Sequence, residues 1–401
     1  MKENPTLLIN SRKIFYNNFL FIVGFLTLSL SVIRFFDYSI TVAFFIIFFI
    51  SYKYINKLNI YFINTYFFLI TYLLFMAIMF YNNLDFLEFI KSFLLTCIML
   101  FVFLSSLFKP LYNLKTINFI LIIKFTSILL IVLELLQVFE KIYFGTTNLW
   151  FLFDGISIST ATSSDRFQAA NFISFIRPIS FYHEPSYLGI ILLVLLICSK
   201  QLQMHKKYFY LITFGIVLSF STTALLFLIL YFIILNLKKF TNFILFSLII
   251  IIFLFSFFDW DTINSFIRIN EILNSGTSGN ARLIEPYEYL YDQIFIKEHY
   301  FGIPLGQSDL VFNNSFYLIF LYFGILAPFI LVFFIIFILN KLHYAGIYYL
   351  IAFFALLFLS GSIFTLEDTF ILYFLNLTFY YTKINKKEVV NTFKNFITNN
   401  V

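Results

Sequence analysis

Apolar runs follow one another almost without interruption, and this constrains the fold more than anything else in the sequence. A helix that crosses a bilayer needs about 20 consecutive apolar residues. Such stretches lie near 14–33, 39–55, 59–81, 86–107, 117–139, 185–199, 207–220, 221–237, 241–258, 312–339, 343–360 and 362–381. The region 207–237 reads either as two short helices turning at Ser221-Thr222-Thr223 or as one long bent helix. Of 401 residues, 61% are hydrophobic and 11% charged, where a soluble domain carries about 25% charged residues. That much apolar surface needs lipid as its solvent, which excludes an ordinary soluble enzyme. The expectation is an all-α polytopic membrane protein with about 12 transmembrane helices, organised as a single integral membrane domain over 1–401. The first run follows Lys2, Arg12 and Lys13 and ends at Arg34 and Asp37 with no small-residue cleavage site, so it reads as a retained signal anchor. Cys97 and Cys198 both fall within apolar runs, which leaves no disulfide framework and no metal-binding pair.

Basic residues orient the runs. With twelve spans and both termini cytoplasmic, 17 of the 26 lysines and arginines fall on the inner side and eight on the outer, with Lys124 inside a span. The formal charge of +6 is therefore a matter of loops and no nucleic-acid signature. Residue type is more telling than number. Five of the six arginines and 17 of the 20 acids lie outside. So do the two long connections, about 140–184 and 259–311. Any chemistry faces outward.

The first long connection ends in RPISFYHEPSYLG, residues 177–189. Proline suits the first turn of a helix, so Pro185 opens the sixth span. That span runs outside to inside and presents its positive N-terminal end to the outer surface, a ready anion site. Arg177 stands just upstream and has the fork geometry for phosphate. Glu184 sits at the helix entrance and stays ionised there. A plain cap at Glu184 with Arg177 as ion-pair partner and His183 as bystander accounts for the same residues. The second connection carries Asp259-Trp260-Asp261, Arg268, Arg282 and His299. The aspartate pair suits a divalent metal, or simply a solvated loop start. Acids and aromatics at helical spacing over 281–296 predict an amphipathic interfacial helix with Tyr287, Tyr291 and Phe295 on one face. Asn313-Asn314-Ser315 and Ser221-Thr222-Thr223 read as caps of the tenth and eighth spans. Glu134 and Lys124 lie inside the fifth span, where ionisable groups are functional candidates or line a polar seam. The four histidines have no metal-ligand spacing.

RPISFYHEPSYLG, then LSFSTTALLFLILYF after a short inner loop, then NNSFYLIFLYFGILA after the second long connection, resemble the Wzy-type O-antigen polymerases of bacterial inner membranes. The resemblance runs the length of the chain. It implies a multi-pass protein of the cell inner membrane with two large periplasmic loops containing short amphipathic helices. Arginines of those loops, here Arg166, Arg177, Arg268 and Arg282, would hold anionic lipid carriers. Arg268 and Gly279 match the Arg-to-Gly spacing of some members, while Arg177 and Gly189 miss it by one residue. The related O-antigen ligases carry a histidine near the N-x-y run. Here Phe312-Asn313-Asn314 occupies that stretch and His299 lies well upstream, which favours polymerase over ligase.

The reaction so implied is a GT-C-like glycosyl transfer that joins undecaprenyl-pyrophosphate-linked oligosaccharides into O-antigen or capsular polysaccharide. Pyrophosphate is a good leaving group, so the protein must supply positive charge and a base for the attacking hydroxyl. Glu184 is the first choice of base and His183 the second, with Arg177 and Arg282 on the pyrophosphate. Arg166, Arg268, Tyr182, Tyr287, Asn313 and Asn314 line the substrate. No cofactor is called for, and no Gly-rich phosphate loop is present. Partners are the lipid-linked oligosaccharide, the lipid bilayer and a chain-length regulator protein, with no nucleic acid. A ligase acting on lipid A core, a lipid-linked oligosaccharide flippase and a transporter are the competing classes. Twelve glycines, seven prolines and no repeat speak against a transporter.

Overall fold

Helices begin where an apolar run meets a cap. The computed structural model describes residues 5–28, 31–35, 38–52, 60–80, 85–108, 117–146, 149, 180, 182, 185–235, 278–306, 314–358 and 366–398. Its helices are α1 (Pro5–Leu26), α2 (Val42–Tyr52), α3 (Ile60–Met79), α4 (Phe86–Phe108), α5 (Phe119–Phe144), α6 (Pro185–Gln201), α7 (Lys206–Leu218), α8 (Thr222–Leu235), α9 (Ser278–Tyr291), α10 (Ser315–Phe323), α11 (Ala327–Leu342), α12 (Tyr344–Leu357) and α13 (Leu366–Thr398). Asn118 starts α5, its Oδ1 accepting from the Leu121 amide at 3.1 Å. Gly145, at φ 65°, ends it by donating to the Lys141 carbonyl, the usual left-handed helix stop.

Among the described residues four stretches are long and apolar enough to cross a membrane: Ile60–Met79, Phe86–Phe108, Phe119–Phe144 and Ser315–Leu342. Shorter apolar helices cover Ile14–Leu26, Ser186–Gln201, Thr222–Leu235 and Tyr344–Leu357. α6 and the apolar part of α13 sit at the centre, with Leu188, Ile190–Cys198 and Phe370–Leu375 fully enclosed. Phe25 of α1 meets Phe370 and Phe374 of α13 edge-on at 5.1 and 4.9 Å, a favoured aromatic geometry. The outward faces are apolar too. Phe329 and Phe333 on α11 are 70% and 69% exposed, which only lipid solvates without penalty. This is a membrane protein, mostly helical.

The structure departs from the sequence reading in three places. The chain between α1 and α2 is an antiparallel hairpin, β1 (Ser31–Phe35) and β2 (Tyr38–Thr41), in register Arg34↔Ser39 and Phe35↔Tyr38. The all-helical expectation is corrected there: the β-branched residues Val32, Ile33, Ile40 and Thr41 suit strands. Of the two readings open for the region from 207, the structure has two helices, α7 and α8, as the first of them expects. The run 312–339 is broken after Phe323 by a single 3₁₀ turn, Gly324–Leu326. Proline at 328 cannot donate to the Gly324 carbonyl, so a continuous helix there would lose a bond and clash. The last run continues to Thr398; α13, at 33 residues, is about 50 Å long and outlasts the hydrocarbon core of about 30 Å. Lys124 is exposed on α5 with its Nζ 5.0 Å from the centre of the Tyr208 ring, as expected for a lysine that snorkels.

Candidate functional site

Arg166, Arg177, His183, Glu184, Arg268, Asn313, Asp259 and Asp261 lie outside the described residues, as does the side chain of Arg282, whose backbone belongs to α9. Tyr182, Tyr287 and Asn314 are described, together with the segments that flank the others.

α5 carries one polar face. Thr126, Glu134, Gln137 and Glu140 recur at helical spacing, and all are buried. The two carboxyl oxygens of Glu134 meet no hydrogen-bond donor among the described residues. One turn further along α5, Gln137 is fully engaged. Its Nε2 donates to the carbonyls of Leu149 and Ser180, each at 3.0 Å, and its Oε1 accepts from the Ser180 amide at 2.8 Å. Glu140 accepts from the Thr146 hydroxyl at 2.7 Å and the Leu149 amide at 2.9 Å. Ser180, in the left-handed region at φ 51°, also donates its hydroxyl to the Leu130 carbonyl at 3.3 Å. Tyr182, expected against substrate, has a partner inside the protein. It is 3% exposed, and its hydroxyl donates to the Phe25 carbonyl at 3.0 Å. Three residues further on, Pro185 opens α6, as its position in the sequence predicts.

The end of the second long connection is built differently. α9 leads into a π-helical turn, Asp292–Ile296. Tyr287, Tyr291 and Phe295 stand exposed on one side, the face expected of an amphipathic helix. Residues 299–306 then press into the break between α10 and α11. The Ile303 amide donates to the Leu321 carbonyl at 2.9 Å, and the Ile325 amide to the Tyr300 carbonyl at 2.8 Å. These bonds satisfy groups that the break frees. The Tyr72 hydroxyl of α3 donates to the Phe301 carbonyl beside them. His299 has its Nδ1 3.2 Å from Gln293 Oε1 and its ring edge-on to Phe80 at 5.0 Å. Burial and the Lys297 charge hold its pKa below the usual value, against a smaller opposing pull from Asp292. Asn314 caps α10, its Oδ1 accepting from the Tyr317 amide at 3.0 Å, and is buried. That oxygen is committed to the helix.

Contacts carry these pieces to one end of the bundle. A Cβ on Gly189 would fall 2.6 Å from Ala224 Cβ and 2.9 Å from Ser219 Oγ, so the start of α6 touches the start of α8. Ser221 caps α8, its Oγ accepting from the Ala224 amide at 3.3 Å. Phe358, just past α12, meets Phe227 of α8 at 6.0 Å and stacks on Phe316 of α10 at 5.0 Å. α9 packs against α10. The starts of α6, α8 and α10 thus share an end, where their unpaired amides and positive dipole ends suit an anionic ligand. The sequence reading anticipated the caps. It passed over Gln137 and Glu140, whose signal was two polar residues on the face that already held Glu134. It also passed over Gly302 and Gly324.

The WcaD colanic acid polymerase family model matches residues 17–381. No curated protein and no solved structure matches the chain. The family match spans most of the 401 residues, and the chain belongs to this Wzy-type family of polysaccharide polymerases.

Proposed function

We propose that the protein lengthens a polysaccharide by joining undecaprenyl-pyrophosphate-linked repeat units at the periplasmic face of the bacterial inner membrane. A sugar hydroxyl on one lipid-linked unit attacks the anomeric carbon of the chain carried on another. The bond from that carbon to the pyrophosphate oxygen breaks, and undecaprenyl pyrophosphate leaves with the electron pair. The hydroxyl proton passes to Glu184, or to His183 in its place. Arg177 and Arg282 neutralise the charge that grows on the pyrophosphate, the largest demand on the protein in such a transfer. Arg166 and Arg268 hold the carriers, and the exposed face of α9 offers Tyr287 to sugar rings. Tyr182 and Asn314 act from behind, as an anchor and a cap. The reading is supported by family membership and carried by one geometric observation. The segment Ser180–Pro185 enters the bundle at the end that also holds the capped starts of α8 and α10.

Purified protein supplied with a labelled lipid-linked repeat unit should yield a product ladder. Arg177→Ala and Arg282→Ala should abolish it, and lysine should restore part of it, since a point charge does not reproduce a bidentate fork. Glu184→Gln should still bind substrate and lose roughly 10²–10⁴ in rate. Translocation of the lipid without new glycosidic bonds would overturn the proposal.

A further inference from the structure

Gln137 joins two points of the chain that are 31 residues apart in sequence. Leu149 lies shortly after the end of α5, and Ser180 shortly before the start of α6. Both meet the one side-chain amide, through three hydrogen bonds of 2.8–3.0 Å. A glutamine amide has two N–H donors and one acceptor oxygen, and all three kinds of contact are made here. The group is fully buried, so water does not compete for it. We infer that Gln137 is a positioning residue: it clasps the two ends of the first long connection and so sets where His183 and Glu184 stand. The inference rests on the polymerase reading for what those two residues do, but the clasp itself does not.

The chain enters α6 through fixed points. Ser180 is held at its amide, carbonyl and hydroxyl. Tyr182 is held at its hydroxyl by α1. Pro185 is the first residue of α6, and its ring locks φ. Only two residues separate Tyr182 from Pro185, and they are His183 and Glu184. A chain of two residues spans at most about 7 Å. Proline also biases the residue before it toward extended backbone. Little freedom remains to that pair while Ser180 stays put, and Gln137 supplies two of the three bonds that hold Ser180 in place. Glu140 holds the Leu149 end in the same way through its amide. Placement errors of about 1 Å at a reacting group can cost about a hundredfold in rate, which gives a buried glutamine outside the chemistry a measurable role.

The test has two arms. In a Cys97→Ala, Cys198→Ala background, Leu149→Cys with Ser180→Cys should be joined by a short thiol cross-linker. The join is read as two fragments that stay together after cleavage at a protease site placed between them. Adding Gln137→Met, which is apolar and of similar length, should sharply reduce the yield. Absence of the cross-link, or a yield that Gln137→Met leaves unchanged, overturns the clasp. In the second arm, turnover is measured per folded protein. Gln137→Met should lower kcat about 10- to 100-fold and leave KM for the lipid-linked unit within about twofold. In a Glu184→Gln background the same change should cost less than about threefold, because a residue that acts only through another has nothing left to position. An equal factor in both backgrounds overturns the positioning role. If Gln137→Met does not accumulate, Gln137→Glu replaces it, since it keeps the acceptor for Ser180 and loses the paired donors. Failure of the wild type to make a ladder overturns the polymerase reading, and with it the positioning role, while the cross-link still reports the clasp.

Discussion

The chain re-enters the helix bundle twice after a long connection, and the two re-entries are held by different parts of the polypeptide. At 180–185 the bonds come from side chains: Gln137, the Ser180 hydroxyl and the Tyr182 phenol. At 299–306 they come mainly from backbone, with Ile303 bonded to Leu321 and Ile325 to Tyr300. The difference follows from what each loop meets. The first arrives against α5, an unbroken helix whose amides and carbonyls are already paired along its length, so side chains make the contacts: the Gln137 amide, and the Ser180 hydroxyl that reaches the Leu130 carbonyl. The second arrives where α10 stops and α11 begins, and the break offers free backbone groups. A loop docked by side chains is tuned residue by residue. A loop docked by backbone depends on glycines that let two main chains touch.

The largest effect should therefore come from the second re-entry. Gly324 has φ 49° and ψ −131°, a region close to that of a type II′ turn and strongly favouring glycine. A Cβ there would lie 2.1 Å from the Tyr300 oxygen and 2.6 Å from the Gly302 nitrogen. Gly302, at φ 98°, faces the carbonyls of Tyr322 and Leu321 at 2.6 and 2.7 Å in the same way. Gly324→Ala should cost more than about 2 kcal/mol and leave little folded protein in the membrane. The amount of monodisperse protein after extraction measures it. Normal yield would show that backbone docking at 299–306 is not what holds the second loop.

His343 provides the control. It joins α11 to α12 at φ 53° and ψ −134°, nearly the backbone of Gly324, but with a side chain. If that conformation carries the strain assumed above, His343→Gly should stabilise the protein by about 1 kcal/mol or more. Thermal unfolding in detergent would show it. No gain would mean that steric overlap, and not the backbone angle, dominates at Gly324.

These sites also mark what the sequence makes legible. α3, α4, α6 and α8 begin and end within a few residues of their apolar runs because lipid demands length and the caps are local. Pro185, Asn314 and Ser221 announce helix starts by residue type alone. The break at Gly324 was half legible. Pro328, four residues later, forbids a continuous helix, but 312–339 still reads as one apolar run. The hairpin at 31–41 was hidden because a short apolar stretch has no clear period. The clasp was not legible, since nothing near Gln137 in sequence says that Leu149 and Ser180 will meet there. Asn314 and Tyr182 are expected as substrate contacts because they sit in the right motifs. The Asn314 bond to Tyr317 is a local cap, whereas the Tyr182 bond to Phe25 depends on tertiary placement.

A smaller pair of changes compares the two re-entries directly. Tyr72 of α3 donates its hydroxyl hydrogen to the Phe301 carbonyl of the second loop end, and Tyr182 of the first loop end donates its own to the Phe25 carbonyl of α1. Tyr72→Phe and Tyr182→Phe should each cost about 0.5–1.5 kcal/mol of stability. Turnover should separate them. Tyr182 stands directly before His183 and Glu184, so its loss should slow the reaction beyond what stability explains. Tyr72→Phe should leave kcat of the folded protein near normal. Equal losses of turnover would mean that both loop ends position reacting groups.

The smallest effect tests whether any side chain matters to the second re-entry. His299 lies between the π-helical turn and Gly302, with its Nδ1 near Gln293 and its amide bonded to the Gln293 carbonyl at 3.1 Å. Burial and Lys297 depress its folded pKa below the unfolded value of about 6.5. The unfolded chain therefore takes up the proton first as pH falls. Stability from this group is fully present above about pH 6.5 and declines as pH drops through 6.5 toward the folded pKa. The effect is modest because the ring is only partly buried and solvent screens it. Unfolding midpoints measured from about pH 7.5 to 5.5 should fall less steeply in His299→Asn than in the wild type. The backbone bonds of Ile303 and Ile325 do not titrate, so any slope that remains in the variant belongs to other groups. If the slope is unchanged, His299 plays no part in holding the loop, and the second re-entry is a backbone device with Tyr72 as its side-chain support.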